Sequence, residues 1–273
     1  MTDVDSVADS VADSAADSDA GAGVGAGVGG RVGAAPDAQL LAGARELWAE
    51  IAAAPVVFPE QGISVVVSPR SGMCPAGWAG LVVVGNVGIG TAPDQATAEA
   101  MRARLAGCSP RRLYDPADAA ALLPSAEMIG PVTLAYLASD RFRPCTGPTV
   151  EELPAGHADM RALEARCSAQ ERAEVSIDQL TSPAFAIRDG EGGEIIAAAG
   201  YVAWPRDTAH MAILTAPEAR GRGLAKVAAS SAIAPAFARG MVPQWRARVP
   251  ASLRVAGAVG FEAVGVQIRV RFG

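Results

Sequence analysis

The chain has 273 residues, 50% of them hydrophobic, which is enough apolar material for a packed core and excludes wholesale disorder. Its 23 basic and 29 acidic residues give a net charge of −6, yet Asp3, Asp5, Asp9, Asp13, Asp17 and Asp19 all precede the first basic residue, Arg31. The remainder is electrically balanced, so it lacks the basic field expected of a nucleic-acid-binding protein.

Cys74, Cys108, Cys145 and Cys167 are widely spaced, no C-x-x-C pair occurs, and the histidines are His157 and His210 alone. That pattern predicts neither a metal site nor a disulfide framework. No basic segment followed by an apolar one opens the chain, and no apolar run reaches about 18 residues. A soluble, cytoplasmic protein without a membrane partner is expected.

Residues 1–35 repeat an acidic Ser/Ala/Asp unit and then Gly with small apolar residues, which predicts a flexible tail. Gly25, Gly27 and Gly30 form a G-x-G-x-x-G there, but no strand precedes it and no amphipathic helix follows, so composition explains it. Residues 38–53 carry Leu40, Leu41, Ala44, Leu47, Trp48 and Ile51 at helical spacing, closed by Pro55. Val-rich residues 63–67 and 81–84 predict strands. The second runs into Gly85, Gly88 and Gly90, which predict a turn before a helix over 94–105. A phosphate cradle at that turn is disfavoured because the loop carries no Lys or Arg. Residues 122–137 predict a further helix or strand, its limits blurred by Pro124 and Pro131.

The turn-rich residues 143–148 mark a domain boundary, dividing a smaller α/β region, 36–145, from a second unit, 146–273. In that unit a strand near 150–153 precedes one helix with Met160 and Leu163 and another from 169 to about 180. A hairpin follows, 185–188 and 194–204 around the turn 189–193, and then a strand over 209–215.

Next comes Arg220-Gly221-Arg222-Gly223-Leu224-Ala225-Lys226, a glycine turn opening a helix that runs to Gly240 and should kink or break at Pro235. Glycines there let a ligand approach the backbone without meeting a Cβ. Amides at a helix N-terminus, with Arg220, Arg222 and Lys226 around them, suit a pyrophosphate. A strand over 242–248, Pro250-Ala251-Ser252, a short helix and Gly260-Phe261 complete the chain's pattern.

This order of elements resembles the GNAT superfamily of acyl-CoA-dependent N-acetyltransferases over about residues 149–273. The family's Q/R-x-x-G-x-G/A loop is matched by Arg220, Gly223 and Ala225. The resemblance implies an α/β (α+β) fold with a mixed, mostly antiparallel sheet flanked by helices. It implies acetyl-CoA as cosubstrate, no metal, and transfer to an amine acceptor, a small molecule or a peptide. Ile213, Leu214 and Thr215 would pair with the pantetheine arm, and Gly221, Arg222, Gly223, Leu224, Ala225 and Lys226 would hold the pyrophosphate. The strands around Thr215 and Trp245 would splay to admit the thioester. Residues 36–145 would shape the acceptor site or a homodimer face.

The usual catalytic positions depart from the family pattern. Ala256 stands where many members carry a Tyr, Val249 replaces the helix-start Asn, and Gln244 replaces a Glu base. His210 is the best available base, weighed against a strand histidine bonded within the fold. Ser252 is weighed as a proton donor to the leaving sulfur against a cap on its helix, the cap being expected; Trp204 and Trp245 would wall the slot or pack the core, and Glu191 and Glu194, in a turn that could border the cleft, are expected to stay solvated. No thiolate role is expected of Cys167, which has no histidine near it in sequence. A non-catalytic acyl-CoA-binding module, with the loop kept and the chemistry lost, is the alternative.

Overall fold

Asp37 opens helix α1 (Ala38–Ile51) by accepting from the Gln39 amide at 2.8 Å, in a computed structural model that describes residues 37–272. The expected tail and its G-x-G-x-x-G lie outside the described residues. Helix α1 buries Leu40, Ala44, Leu47, Trp48 and Ile51, the stripe its spacing predicts. Strands β1 (Gly62–Val67), β2 (Ala79–Val84) and β3 (Val87–Ala92) follow. β3 corrects the expectation of a glycine turn: Gly88 and Gly90 are strand residues. A Cβ on Gly88 would stand 3.0 Å from the Val82 carbonyl oxygen, and one on Gly90 would stand 3.2 Å from Met101 and Val65 side-chain carbons. Close packing, rather than a bend, requires glycine there.

Helix α2 (Gln95–Leu105) is capped by Asp94, which accepts from the Thr97 amide at 2.8 Å. Helix α3 (Pro116–Leu122) leads to β4 (Glu127–Tyr136), so the ambiguous residues 122–137 are mostly strand. A register shift in the β4/β10 pairing, between Ile129 and Val132, absorbs Pro131.

The remaining elements are β5 (Glu151–Leu153), α4 (Ala158–Ala165), α5 (Ala169–Val175), β6 (Ala184–Arg188), β7 (Ile195–Trp204) and β8 (Thr208–Thr215). Then come α6 (Leu224–Ala238), β9 (Val242–Ala247), α7 (Pro250–Val259) and β10 (Glu262–Arg271). The helix expected over 169–180 stops at Val175 because Ser176 turns left-handed at φ 48, and a 3-10 turn carries 177–179. Helix α6 runs through Pro235 without interruption. That proline forfeits its own bond to the Ser231 carbonyl, but it lies in the final turn, so little helix follows to be kinked.

Among the described residues ten strands join one sheet in the order β1-β3-β2-β10-β4-β9-β8-β7-β6-β5. Only β1/β3 and β8/β9 pair in parallel, so the sheet is mixed and mostly antiparallel, with helices on both faces. β4 is inserted between β10 and β9, and β10 also pairs with β2. The sheet therefore crosses the division expected near residue 146, and the strands before it complete the sheet formed by those after it.

Strand parity assigns the helices to faces. Arg239, just past α6, donates to the Tyr201 hydroxyl, whereas Trp48 of α1 meets Trp204 edge-on at 6.0 Å. Residues 201 and 204 have opposite parity in β7, so α6 and α1 lie on opposite faces. Leu180 and Ser182 close on Gly200, which places the segment after α5 on the α1 face.

Candidate active site

Strands β8 and β9 pair at Thr208–Val242, Ala209–Pro243 and His210–Gln244, and their ladder ends there. Each strand continues with another partner: β8 reaches Thr215 against β7, and β9 reaches Ala247 against β4. Beyond His210 the two parallel strands therefore part, leaving the β8 edge over Ile213, Leu214 and Thr215 open toward β9. Leu214 is buried, Ile213 and Thr215 are half-buried, and the buried Thr215 Oγ1 has no hydrogen-bond partner. Trp245 stands on the opposing strand.

The chain leaves β8 through a 3-10 turn (Pro217–Ala219) into the glycine loop. Gly221 at φ 76 and Gly223 at φ 78 are both left-handed, a conformation that explains glycine at each. A Cβ on Gly221 would meet nothing within 4 Å, and one on Gly223 only the Lys226 side chain at 3.5 Å, so the space over the loop is open. Gly223 is the N-cap of α6 and no side chain caps it. The Lys226 amide turns back to the Gly223 carbonyl at 3.1 Å, and the amides of Leu224 and Ala225 keep their donors and the positive end of the helix dipole for something else.

The cations divide. Arg220 is committed within the protein, donating through Nε to the Thr215 carbonyl at 3.3 Å and pairing with Glu171 at 2.6 Å. It braces the loop against α5. Arg222 is exposed and 4.0 Å from Asp189, while Lys226 lies beside Gly223.

His210 is buried on the α1 face. Its ring stacks on Trp204 at 4.1 Å, and Nδ1 lies 2.6 Å from Gln244 Oε1. Burial first and the Arg246 charge second push its pKa down to about 3. The ring is neutral at pH 7, with its Nδ1 proton donated to Gln244. Of the readings weighed for His210, this geometry is that of a strand histidine bonded within the fold.

Ser252 does not cap α7, whose N-cap is Val249 with no side-chain bond. Its Oγ instead accepts from Trp245 Nε1 at 2.9 Å, because the helix begins at Pro250 and sets Ser252 in the first turn. Trp245 also meets Phe261 edge-on at 5.3 Å, on the α6 face, whereas Trp204 packs in the α1-face core. Ala256 is buried, and Glu194 pairs with Arg166 at 2.6 Å. Burial raises the Cys167 pKa, and its Sγ is 3.9 Å from the Thr215 carbonyl.

Sequence reasoning missed a polar group on the α1 face. Gln244-Trp245-Arg246 on β9 and Gln267-Ile268-Arg269 on β10 flank β4. Gln244, Arg246 and Gln267 stand opposite Tyr136, Leu134 and Val132 of β4, so all share one face. Two Gln-x-Arg triplets, one in each strand, were the available signal.

A cavity of about 530 Å³ lies at the other end of the β8/β9 pair, between α1 and the end of α6, bordered by Glu46, Ser139, Arg206, Thr208 and Val242. It is at the closed end of the two strands, away from the glycine loop. Among the described residues no group of three His, Cys, Asp or Glu side chains is placed to hold a metal. No described helix is long and apolar enough to cross a membrane.

Residues 184–266 match the family model for the GNAT acetyltransferases. No curated protein matches the chain. Among solved structures, a GNAT-family acetyltransferase from Colwellia psychrerythraea is 15% identical at a TM-score of 0.42, covering 57% of this chain and 62% of its own. A GCN5-related N-acetyltransferase from Kribbella flavida is 16% identical at a TM-score of 0.39, covering 55% of this chain and 62% of its own. The chain thus spans less than two thirds of the length of either. The residues that match the GNAT acetyltransferase family model, 184–266, contain the glycine loop, the parting strands and α7.

Proposed function

We propose that the protein transfers an acetyl group from acetyl-CoA to an amine. The observation that carries this reading is the end of the β8/β9 ladder at His210–Gln244, on the strand that leads into the uncapped N-terminus of α6. The open edge of Ile213–Thr215 offers backbone groups to an amide-rich arm, as an added strand would use them. Amides from Gly221 to Ala225 offer a pyrophosphate cradle, with the Arg222 and Lys226 side chains as counter-charge. Acetyl-CoA supplies an acyl group already activated as a thioester.

This chain's own contribution is positioning, which is worth up to about 7–11 kcal/mol when reactants are well oriented. Gln244 is not a base, and His210 is buried, so the acceptor amine must arrive neutral or lose its proton to water. At pH 7 a lysine amine pays about 4.6 kcal/mol for that and an α-amine about 1.4 kcal/mol, which favours acceptors of low pKa. Ser252 accepts from Trp245 and keeps its own proton to donate, making it the candidate donor to the leaving thiolate. Opposed to this is a non-catalytic acyl-CoA-binding module, favoured by the buried Ala256 where a donor hydroxyl is usual.

Calorimetric titration with acetyl-CoA, followed by thiol release across an amine panel, tests the proposal. Saturable binding and release are expected. Binding without release on any amine would favour the module, and no binding would overturn both readings.

A further inference from the structure

The α1 face of the sheet, beside the gap between β8 and β9, carries an arginine, Arg246, with side-chain donors that the protein does not use. Arg246 is the first residue of its parity on β9 after the last β8/β9 rung. Its guanidinium lies 5.6 Å from the Trp204 ring, and its Nε and Nη1 are buried without a hydrogen-bond partner. Gln244 is fully buried with its Nε2 unpartnered, and Gln267, whose Nε2 donates to the Met73 carbonyl at 2.7 Å, has an unpartnered Oε1. Arg269, 3% exposed, shares the face. The carboxylate whose charge reaches Arg246, Glu174 of α5, is bonded through Oε1 to Arg248 and Gln170.

Burial, and then the charge of Arg269, draw the Arg246 pKa down to about 9, and the repulsion outweighs the attraction of Glu174. Arg246 still carries its charge at pH 7. Arg246 is half-buried, and keeping two of its donors buried and unpartnered beside a second cation is costly. An oxyanion that accepts from the guanidinium fork offsets that cost, because the fork matches its geometry. The phosphates of acetyl-CoA do not fill this role in the proposed mode, because their cradle starts α6, on the opposite face.

We propose that Arg246, reinforced by the charge of Arg269, binds an oxyanion on the acceptor, so that the acetylated amine belongs to a small molecule that also carries a carboxylate or a phosphate. This rests on the acetyltransferase reading and narrows its acceptor. The transfer converts the amine and the thioester into an amide and free CoA thiol, and the acceptor's oxyanion is unchanged.

Two measurements test it with the full chain. The first is thiol release from acetyl-CoA with matched amines: an amino acid, the corresponding amino-acid amide, and an aminoalkyl phosphate beside a plain alkylamine. At least one anionic member is expected to exceed its neutral counterpart tenfold in kcat/KM, and which one does so identifies the oxyanion. Equal turnover of neutral and anionic partners would overturn the proposal.

The second measurement needs no turnover: tryptophan fluorescence, with Trp204 under Arg246, titrated with the same amino acid and aminoalkyl phosphate. A saturable change is expected in the wild type, weakened at least tenfold in Arg246→Gln and less in Arg246→Lys. Acetyl-CoA affinity measured by calorimetry should stay unchanged in both variants, which separates failure here from failure of the cofactor reading. Arg246→Gln should also hold or raise the melting temperature of the free protein, because it removes a charge with buried, unpartnered donors, whereas a merely structural arginine would lower it. No saturable change with either probe in a folded wild-type protein would overturn the proposal.

Discussion

His210 and Gln244 form the last rung between β8 and β9, and their side chains share a 2.6 Å contact at the point where the strands part. Everything toward Thr215 and Ala247 is open, and everything toward Thr208 and Val242 is closed. The rung is a buried polar clasp, with the imidazole held flat on Trp204.

The clasp should make the protein acid-sensitive. The folded ring resists protonation down to about 3, against an ordinary value of 6.5, so below pH 6.5 the unfolded chain binds a proton that the folded chain refuses. Stability is retained above pH 6.5 and falls as pH drops toward 3, by about 2 kcal/mol at pH 5. Urea midpoints measured between pH 4.5 and 7.5 should show this slope, and His210→Gln should remove that part of it. Between pH 6 and 9 the acetyl-transfer rate should follow the acceptor amine's pKa in both proteins. A kinetic limb abolished by the substitution would instead make His210 the base.

Gly223→Val should cost acetyl-CoA affinity at least tenfold while the protein stays folded. The side chain has room, since only Lys226 is near, but φ 78 opposes a β-branched residue by about 1–2 kcal/mol. Relief of that strain would turn the α6 amides away from the cradle. Calorimetry with a melting curve on the same sample checks it, and unchanged affinity would remove Gly221–Lys226 as the phosphate site.

Gly265 controls a different junction. A Cβ there would stand 2.1 Å from the Val83 carbonyl oxygen, a backbone atom that cannot step aside without opening β10 from β2. Gly265→Ala should therefore destabilise by about 1–3 kcal/mol or more. A melting temperature within a degree of wild type would show that the two strands adjust freely.

A chain of residues 146–273 alone should fail to give a folded monomer. Removing β4 leaves the facing edges of β9 and β10 unpaired in the middle of the sheet, and unpaired edges invite aggregation. Gel filtration and circular dichroism of that chain against residues 37–272 decide the matter. A soluble, cooperatively melting monomer would establish 146–273 as an independent unit.

What the sequence determined by itself are the features set within a few residues of chain. The stripe of α1, the β6/β7 hairpin, β8 and the glycine turn from Arg220 to Lys226 follow from side-chain period, capping and the conformational freedom of glycine. Tertiary structure alone decided which strands are neighbours. Nothing local states that β4 inserts between β9 and β10, that Gly88 and Gly90 belong to a strand, or that Ser252 takes a bond from Trp245 instead of capping its helix. The two Gln-x-Arg triplets read as ordinary alternation in sequence. They become one polar, cationic face because the register of β4 with both flanking strands turns Gln244, Arg246 and Gln267 to one side, and register is a property of the partner strand.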